Sequence, residues 1–415
     1  MAENRRIIVV GGGASGMIAA GFAASRGFNV KLIEKNKILG KKLMITGKGR
    51  CNITNACDKV EELIKNIPTN GSFLYSAFYN FTNQQTIEFF NNLGVDTKVE
   101  RGNRVFPVSD KSLDVVNALR DFMIQNNVEI ITDTVQNILV DGDKVSGVVT
   151  QKRGVITADD VIIATGGMSY TLTGSTGDGY EWAKKLGHTI TEIKPSLVPI
   201  EVEEKWVSGL KGVSLKNVEV KVIDEKNKKI HSEFGEMMFA HFGLTGPIIL
   251  STSSHIKDLK GKNYRIILDL KPALDEKQLD ARVLRDFQKY NNKDFRNSLG
   301  DLLPSSLIDV IIGLAEIDPF KKVNSVTKEE RARLVFLLKN LELHITGFSP
   351  IEQAIITSGG VCVKEINPST MQSKLVNGLY FCGEIIDVDG YTGGFNLQIA
   401  FSTGFLAGSS CGISL

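Results

Sequence analysis

The sequence predicts an α/β fold in which both ends of the chain build one parallel-sheet domain and a mixed segment is inserted between them. Three observations carry this. The first 35 residues read strand, glycine-rich turn, helix, strand, acid. Residues 356–415 return to short apolar strands and glycine-rich turns. Between them, from about Thr191, strand-like runs come first and helical runs follow, the pattern of a separate mixed domain.

The opening justifies the first element. Arg5-Arg6 lead into Ile7-Ile8-Val9-Val10, and Gly11, Gly13 and Gly16 then stand in G-x-G-x-x-G order with Ala14 and Ser15 between. A small-residue helix, Met17 to Ser25, and a second strand, Asn29 to Ile33, end on Glu34. Gly11 permits the tight turn, Gly13 lets the backbone approach a pyrophosphate, and Gly16 lets helix and strand pack closely. The helix N-terminus faces phosphate, and Glu34 stands where a carboxylate accepts ribose hydroxyls. With both strands and the acid in place this is a dinucleotide fingerprint. The plainer alternative is a glycine-rich turn of another α/β unit. A signal peptide is disfavoured by the glycines, the acidic strand end and the lack of a small-residue cleavage site.

Size and composition narrow the rest. A chain of 415 residues points to two or three domains, and 42% apolar residues suffice for sizeable cores. Lys+Arg 49 against Asp+Glu 47 gives no electrostatic footprint for nucleic acid or an anionic membrane. No apolar run reaches the roughly 18 residues of a membrane span. The five cysteines, Cys51, Cys57, Cys362, Cys382 and Cys411, are odd in number and scattered, which suits reduced thiols of a cytoplasmic protein. Neither they nor the five histidines show metal-ligand spacing. A small-molecule substrate is expected, with no nucleic acid and no membrane partner.

After Glu34 and Lys35 comes the densest cluster, Gly40 to Asn55, which holds Lys42, Gly47, Arg50, Cys51 and Asn52. Its backbone N–H groups, Lys42 and Arg50 would face a diphosphate or the electron-rich edge of a flavin; a solvated basic loop is the alternative. Cys51 and Cys57 invite a redox-dithiol reading, but Cys51 reads better as a small packing residue. Residues 72–93 read as helical, their aromatic spacing as core. Asp110 to Asn126 reads as a helix capped by Ser109 or Asp110. Val128 to Thr132 is a strand, and a small β-meander follows from Val135 to Gln151. The strand Val161 to Ala164 runs into Thr165-Gly166-Gly167, a bare backbone at a strand's carboxyl end, where α/β folds bind ligands. Tyr180 to Leu186 reads as a helix.

In the insert, Leu197–Glu203, Leu215–Asp224 and Tyr264–Leu270 are strand-like, and residues 275–341 turn helical. The ending carries a strand, Gly378 to Cys382, that stops on Gly383-Glu384. Gly390, Tyr391, Gly393, Gly394, Phe395, Asn396 and Leu397 then lead into a helix from Ile399 to Cys411. Glu384 suits the hydroxyls of a ribityl chain. The N–H groups at the helix start suit the O2 side of a flavin ring. No second G-x-G-x-x-G follows a strand.

Together these residues resemble the glutathione-reductase-type FAD superfamily. More narrowly, Gly47 to Asn55, Arg104-Val105-Phe106-Pro107, Gly174 to Gly179, Phe242 to Pro247 and Gly390 to Gln398 resemble the YhiN-like bacterial flavoproteins, a family that includes aminoacetone oxidase and 3-dehydro-bile acid Δ4,6-reductase. The resemblance covers nearly the whole chain. It implies a glutathione-reductase-type Rossmann FAD domain with an inserted mixed β-barrel-like plus helical domain, divided as 1–190, 191–355 and 356–415. Val135, at the start of the meander, joins the implied FAD contacts. The chain departs from the family at Thr171, usually proline, and Ala240, usually threonine, both expected in loops.

The expected reaction is hydride transfer from flavin N5 to a C=C bond conjugated with a carbonyl, as in a 3-oxo steroid, with NADH or NADPH as transient donor. Tyr391 is the first candidate proton donor and His241 the second. Packing on the ring is the alternative for Tyr391, and a satisfied structural histidine for His241. An amine oxidase acting on an aminoacetone-like substrate with oxygen is the second reading; Arg104 is its only candidate for binding a carboxylate. A flavin-binding sensor or RNA-associated protein is the third.

Overall fold

The computed structural model describes residues 5–256, 259 and 261–412. The chain divides into two compact units, Met1–Ser196 with Pro350–Leu415, and Leu197–Ser349. These limits lie a few residues inside the expected insert, because Lys194–Ser196 pairs antiparallel with Ile356–Ser358 as a ribbon of the first unit.

The first unit is built on a five-stranded sheet. Its order is Leu379–Phe381, Asp160–Ile163, Arg6–Val10, Asn29–Glu34, Glu129–Thr132, and every pairing is parallel. Ile7, Ile8, Val9 and Val10 are all buried, as expected of a central parallel strand covered on both faces. The helix Ala14–Ser25 follows the glycine turn directly. The closing helix, Phe395–Ser410, packs along it. Two glycines set that approach: a Cβ on Gly404 would lie 2.4 Å from the Ser15 carbonyl oxygen, and one on Gly408 would lie 2.3 Å from that of Ala19. Outside the main sheet stand Thr54–Asn55, Arg104–Pro107 and Thr97–Glu100 as one small sheet. Val135–Asp141, Lys144–Thr150 and Gly154–Thr157 form the meander.

The second unit is a closed antiparallel barrel of six strands: Ile200–Val202, Gly243–Thr245, Lys229–Ala240, Ser214–Ile223, Arg265–Asp269 and Leu341–Phe348. Helices Glu276–Lys289, Ser305–Ala315 and Lys328–Lys339 fall between its last two strands in sequence. Val220, Val222, Phe239, Ile266, Leu268 and Leu343 fill its core.

Several elements differ from expectation, each for a local reason. The aromatic run 72–93 is broken after Asn80, because Thr82 and Gln85 form a capping box that starts a new helix, Asn83–Asn92. The helix expected from Asp110 begins at Ser112. Asp110 has φ +57°, and its carboxylate binds Arg50 and Lys98 instead of capping. The closing helix starts four residues early, at Phe395. Ala240 ends a strand and pairs with Gly243, so it is not a loop residue. Thr171 opens a short 3-10 turn.

The closing helix is anchored by one side chain. Gln398 is fully buried. Its Oε1 accepts from the Thr54 hydroxyl at 2.5 Å, and its amide nitrogen faces Phe81 O, Thr86 Oγ1 and Ser402 Oγ at 2.8–3.1 Å. Replacing it strands several buried polar groups, each costing about 1–3 kcal/mol. Gln398→Ala is therefore expected to lose at least about 3 kcal/mol in urea unfolding, whereas an exposed control such as Lys277→Ala should change little.

Candidate functional site

The glycine turn has the geometry its spacing implies. Gly11 has φ +108°, and a Cβ there would sit 2.5 Å from the Ala164 carbonyl oxygen. A Cβ on Gly16 would sit 1.9 Å from the Gly11 carbonyl oxygen. Both glycines are thus demanded by the protein's own packing. Gly13 is different: its φ of −82° is open to any residue, and an added Cβ would meet nothing within 4 Å. Packing does not explain a glycine there, whereas the approach of a pyrophosphate at the N-terminus of Ala14–Ser25 does. Glu34 accepts from the Gly12 and Asn36 amides, both at 2.7 Å, so its carboxylate is held beside the turn.

Two further atoms fit a bound group. Asn52 Oδ1 and Thr165 Oγ1 are buried and, among the described residues, have no hydrogen-bond partner. Such atoms are costly unless a ligand or water satisfies them. Thr165 follows the strand Asp160–Ile163 and precedes Gly166, whose φ is +74°. Asn52 follows a backbone with positive φ at Gly47, Lys48, Gly49 and Cys51. The start of the closing helix is equally constrained: Gly394 has φ +102°, and a Cβ on it would fall 2.3 Å from the Thr54 carbonyl oxygen. Its first turn, Phe395, Asn396 and Leu397, has no side-chain cap. Gly11–Gly16, Glu34, Asn52, Thr165 and the turn at Gly394 therefore fit a flavin dinucleotide. Val135 begins the meander, and Asp133, two residues earlier, donates its N–H to the Glu34 carbonyl.

Lys42 and Arg50, expected to face the cofactor, and Lys35 beside Glu34 each hold a carboxylate. Arg50 is bound by Glu100 and Asp110 and lies 4.1 Å over the Phe106 ring. It is the centre of an ion-pair cluster with Glu100, Asp110 and Lys98. Lys35 is held by Asp178 at 2.6 Å and Thr176 at 2.5 Å. Lys42 donates to Glu384 at 2.9 Å and to Ser169 at 3.1 Å. Glu384 also accepts from the Thr357 amide at 2.8 Å and the Ser169 hydroxyl at 3.1 Å. Gly167 permits this knot, since a Cβ on it would lie 2.3 Å from Thr357 Oγ1. Gly383 likewise lies against Ser15, whose Oγ would be 2.4 Å from an added Cβ.

Burial alone would raise the Glu384 carboxyl, but Lys42, the Thr357 amide and Ser169 outweigh it and hold it below the usual carboxylate range. A carboxyl depressed on folding stabilises above its unfolded pKa, and that stabilisation is lost as pH falls through the folded pKa. Only about a fifth of each partner is exposed. Lys42→Met is expected to cost about 2 kcal/mol in urea unfolding at pH 7. The gap to wild type should close in acid as Glu384 protonates.

The turn carrying Tyr391 is clamped from three sides. Asn396 accepts from the Gly390 amide at 2.9 Å and donates to the Gly390 and Tyr391 carbonyls at 2.7 and 3.2 Å. The Tyr391 amide donates to Asn66 O at 2.9 Å. Asp389, buried and pushed up by that burial, accepts from Ser196 at 3.1 Å and Ser358 at 3.0 Å. Tyr391 itself is half-buried and packs on the core of the first unit. His241 belongs to the second unit, exposed at the tip between Ala240 and Gly243, its ring edge-on to Phe242.

Cys51 and Cys57 are free and buried, and burial pushes their thiols up to about 12 and about 11. Neither carries thiolate character near neutrality, so a redox pair has no support. Spacing alone gave no sign of Ser169, Thr357 or Asp389, because each acts through partners far along the chain.

Among the described residues, no helix is long and apolar enough to cross a membrane. A family model for the HI0933-like protein Rossmann domain matches residues 5–410. The 3-dehydro-bile acid delta(4,6)-reductase of Clostridium scindens is 32% identical over 97% of this chain and 98% of its own. The ribosomal RNA dihydrouridine synthase of Escherichia coli is 28% identical over 97% of this chain and 96% of its own. In fold, the chain is similar to 3-ketosteroid delta1-dehydrogenase from Sterolibacterium denitrificans, with a TM-score of 0.51, 13% identity, and coverage of 98% of this chain and 99% of that one.

Proposed function

The chain belongs to the HI0933-like protein family of FAD-dependent oxidoreductases, and from that premise we propose that it reduces a C=C bond conjugated with a carbonyl, using NADH or NADPH. The observation that carries this is a shared chemistry. A 3-oxo-4,6-diene and the uracil ring of uridine are both alkenes activated by a conjugated carbonyl. Reducing one C=C bond of either adds one hydride to an electrophilic carbon conjugated with the carbonyl, the β-carbon of uracil or the β- or δ-carbon of the diene, and one proton to the neighbouring carbon; the diene takes two such rounds to become saturated. The names of the two kinds of relative describe these two saturations.

When bound, FAD supplies the hydride at N5, recharged by the nicotinamide. The residues fitted to hold it are the Gly11–Gly16 turn, Glu34, Asn52, Thr165 and the start of the closing helix. The chain's own tasks are to orient the alkene, keep water out and deliver the proton. Tyr391 is our assignment for that proton. Its turn is clamped by Asn396, Asp389 and Asn66, which limits the donor's wandering. His241 is retained as the second candidate.

A 3-oxo steroid is the leading substrate class, on the 32% relative. Uridine in RNA is the second, on relatives at 28% and 27% identity that cover nearly the whole chain. Purified protein is expected to be yellow and to bleach anaerobically with NADH or NADPH. Bleaching by aminoacetone alone, with peroxide formed on aeration, would move the assignment to an amine oxidase.

A further inference from the structure

Five cations lie on and around the hairpin Thr97–Glu100/Arg104–Pro107, and only some are neutralised. Arg50 and Lys98 share Glu100 and Asp110. Arg101 and Arg104, in the tight turn of the hairpin, are exposed and, among the described residues, have no carboxylate partner. The Arg104 side chain is nevertheless oriented. Its Nε donates to the Arg101 carbonyl at 3.0 Å, and its guanidinium lies 5.7 Å from the Phe106 ring centre. That leaves its outer nitrogens as a fork toward solvent. Lys48, exposed and also without a carboxylate partner among the described residues, stands in the turn Thr46–Gly49. A Cβ on Gly47 of that turn would lie 3.3 Å from the same Phe106 ring.

The hairpin is tied to the cofactor side of the unit. One amide does this: Asn55 Nδ2 donates to Gly102 O at 3.0 Å and to Gly393 O at 3.1 Å. Gly102 lies in the arginine turn, and Gly393 precedes the first turn of the closing helix. Asn103 O also accepts from the Ala56 amide at 2.7 Å. An arginine pair, Arg104 oriented and Arg101 exposed beside it, is thus held one side chain away from the helix start. The sequence has no second dinucleotide fingerprint, so another nucleotide would have to be gripped by side chains.

We infer that Arg101 and Arg104, with Lys48, form a phosphate-recognition site beside the cofactor cradle, serving a phosphate-bearing substrate or co-substrate. The inference rests on the reductase reading above. The phosphate comes either from the nicotinamide nucleotide or from a polynucleotide backbone.

The test compares the holoenzyme with the double variant Arg101→Gln/Arg104→Gln, with Arg101→Lys/Arg104→Lys, and with Lys277→Gln as an exposed control. The probes are NADPH, NADH and a single-stranded oligouridylate. The readouts are the half-saturating concentration for anaerobic bleaching and direct binding of oligonucleotide by fluorescence anisotropy. The glutamine pair is expected to weaken a phosphate-bearing probe about ten- to a hundred-fold, and the lysine pair to restore part of it. Loss for NADPH alone assigns the 2′-phosphate, and loss for both nicotinamides assigns the pyrophosphate. Loss for oligouridylate, with a salt slope shallower by about 0.7 per contact removed, assigns a polynucleotide. The inference is overturned if all three probes stay within two-fold of wild type, or if wild type engages none of them. A wild type that neither nicotinamide bleaches removes the reductase reading, while the oligouridylate arm still decides the site.

Discussion

Gly13→Val is expected to abolish FAD binding while leaving the fold intact. The two halves of that statement have separate origins. The space where the side chain would project holds no protein atom within 4 Å, and the backbone is extended. The folding cost is therefore confined to a poorer helix N-cap, about 1 kcal/mol. A branched side chain would, however, stand where a pyrophosphate must meet the amides of the helix start, and a loss of at least about a hundred-fold in affinity follows. Gly16→Val is the contrasting variant. Its Cβ would lie 1.9 Å from the Gly11 carbonyl oxygen, so it should fail to fold stably. The flavin-to-protein absorbance ratio and the urea midpoint separate the two. A Gly13→Val protein that purifies with full flavin would remove the cradle assignment.

Tyr391→Phe is the second large effect. Loss of a positioned general acid is expected to slow oxidation of the reduced enzyme by an enone about a hundred-fold or more. Bleaching by NADH or NADPH should be unchanged, because it needs no proton from that residue. The backbone of the turn should survive, since Asn396 and Asn66 O hold it through its main-chain atoms. An unchanged oxidation rate would leave Tyr391 as packing and turn attention to His241.

The glycines were the most legible part of the chain, because a missing side chain has few reasons: a positive φ, a close neighbour, or a ligand. Gly11, Gly16 and Gly394 show the first two. The cations were the least legible. Arg50 read as a diphosphate ligand because its partners, Glu100 and Asp110, stand 50 and 60 residues away with no period linking them. Lys42 and Glu384 are 342 residues apart. The parallel sheet was readable from its apolar strands. The barrel was only partly so: the strand Lys229–Ala240 exposes Ile230, Phe234 and Met238, which obscures its alternation. Helix starts were shifted where a side chain had better business elsewhere, as at Asp110.

Conjugate reduction by a nicotinamide-charged flavin can be watched directly. The most direct measurement is anaerobic stopped-flow. Enzyme bleached with just enough NADH or NADPH is mixed with a 3-oxo-4,6-diene steroid, a uridine-containing RNA fragment or aminoacetone, and the return of flavin absorbance is followed. Rapid return is expected with one of the two conjugated alkenes, with one C=C bond of the substrate reduced per flavin reoxidised, and none with aminoacetone. If neither nicotinamide bleaches the flavin, or if bleached enzyme is reoxidised only by oxygen, the account is contradicted.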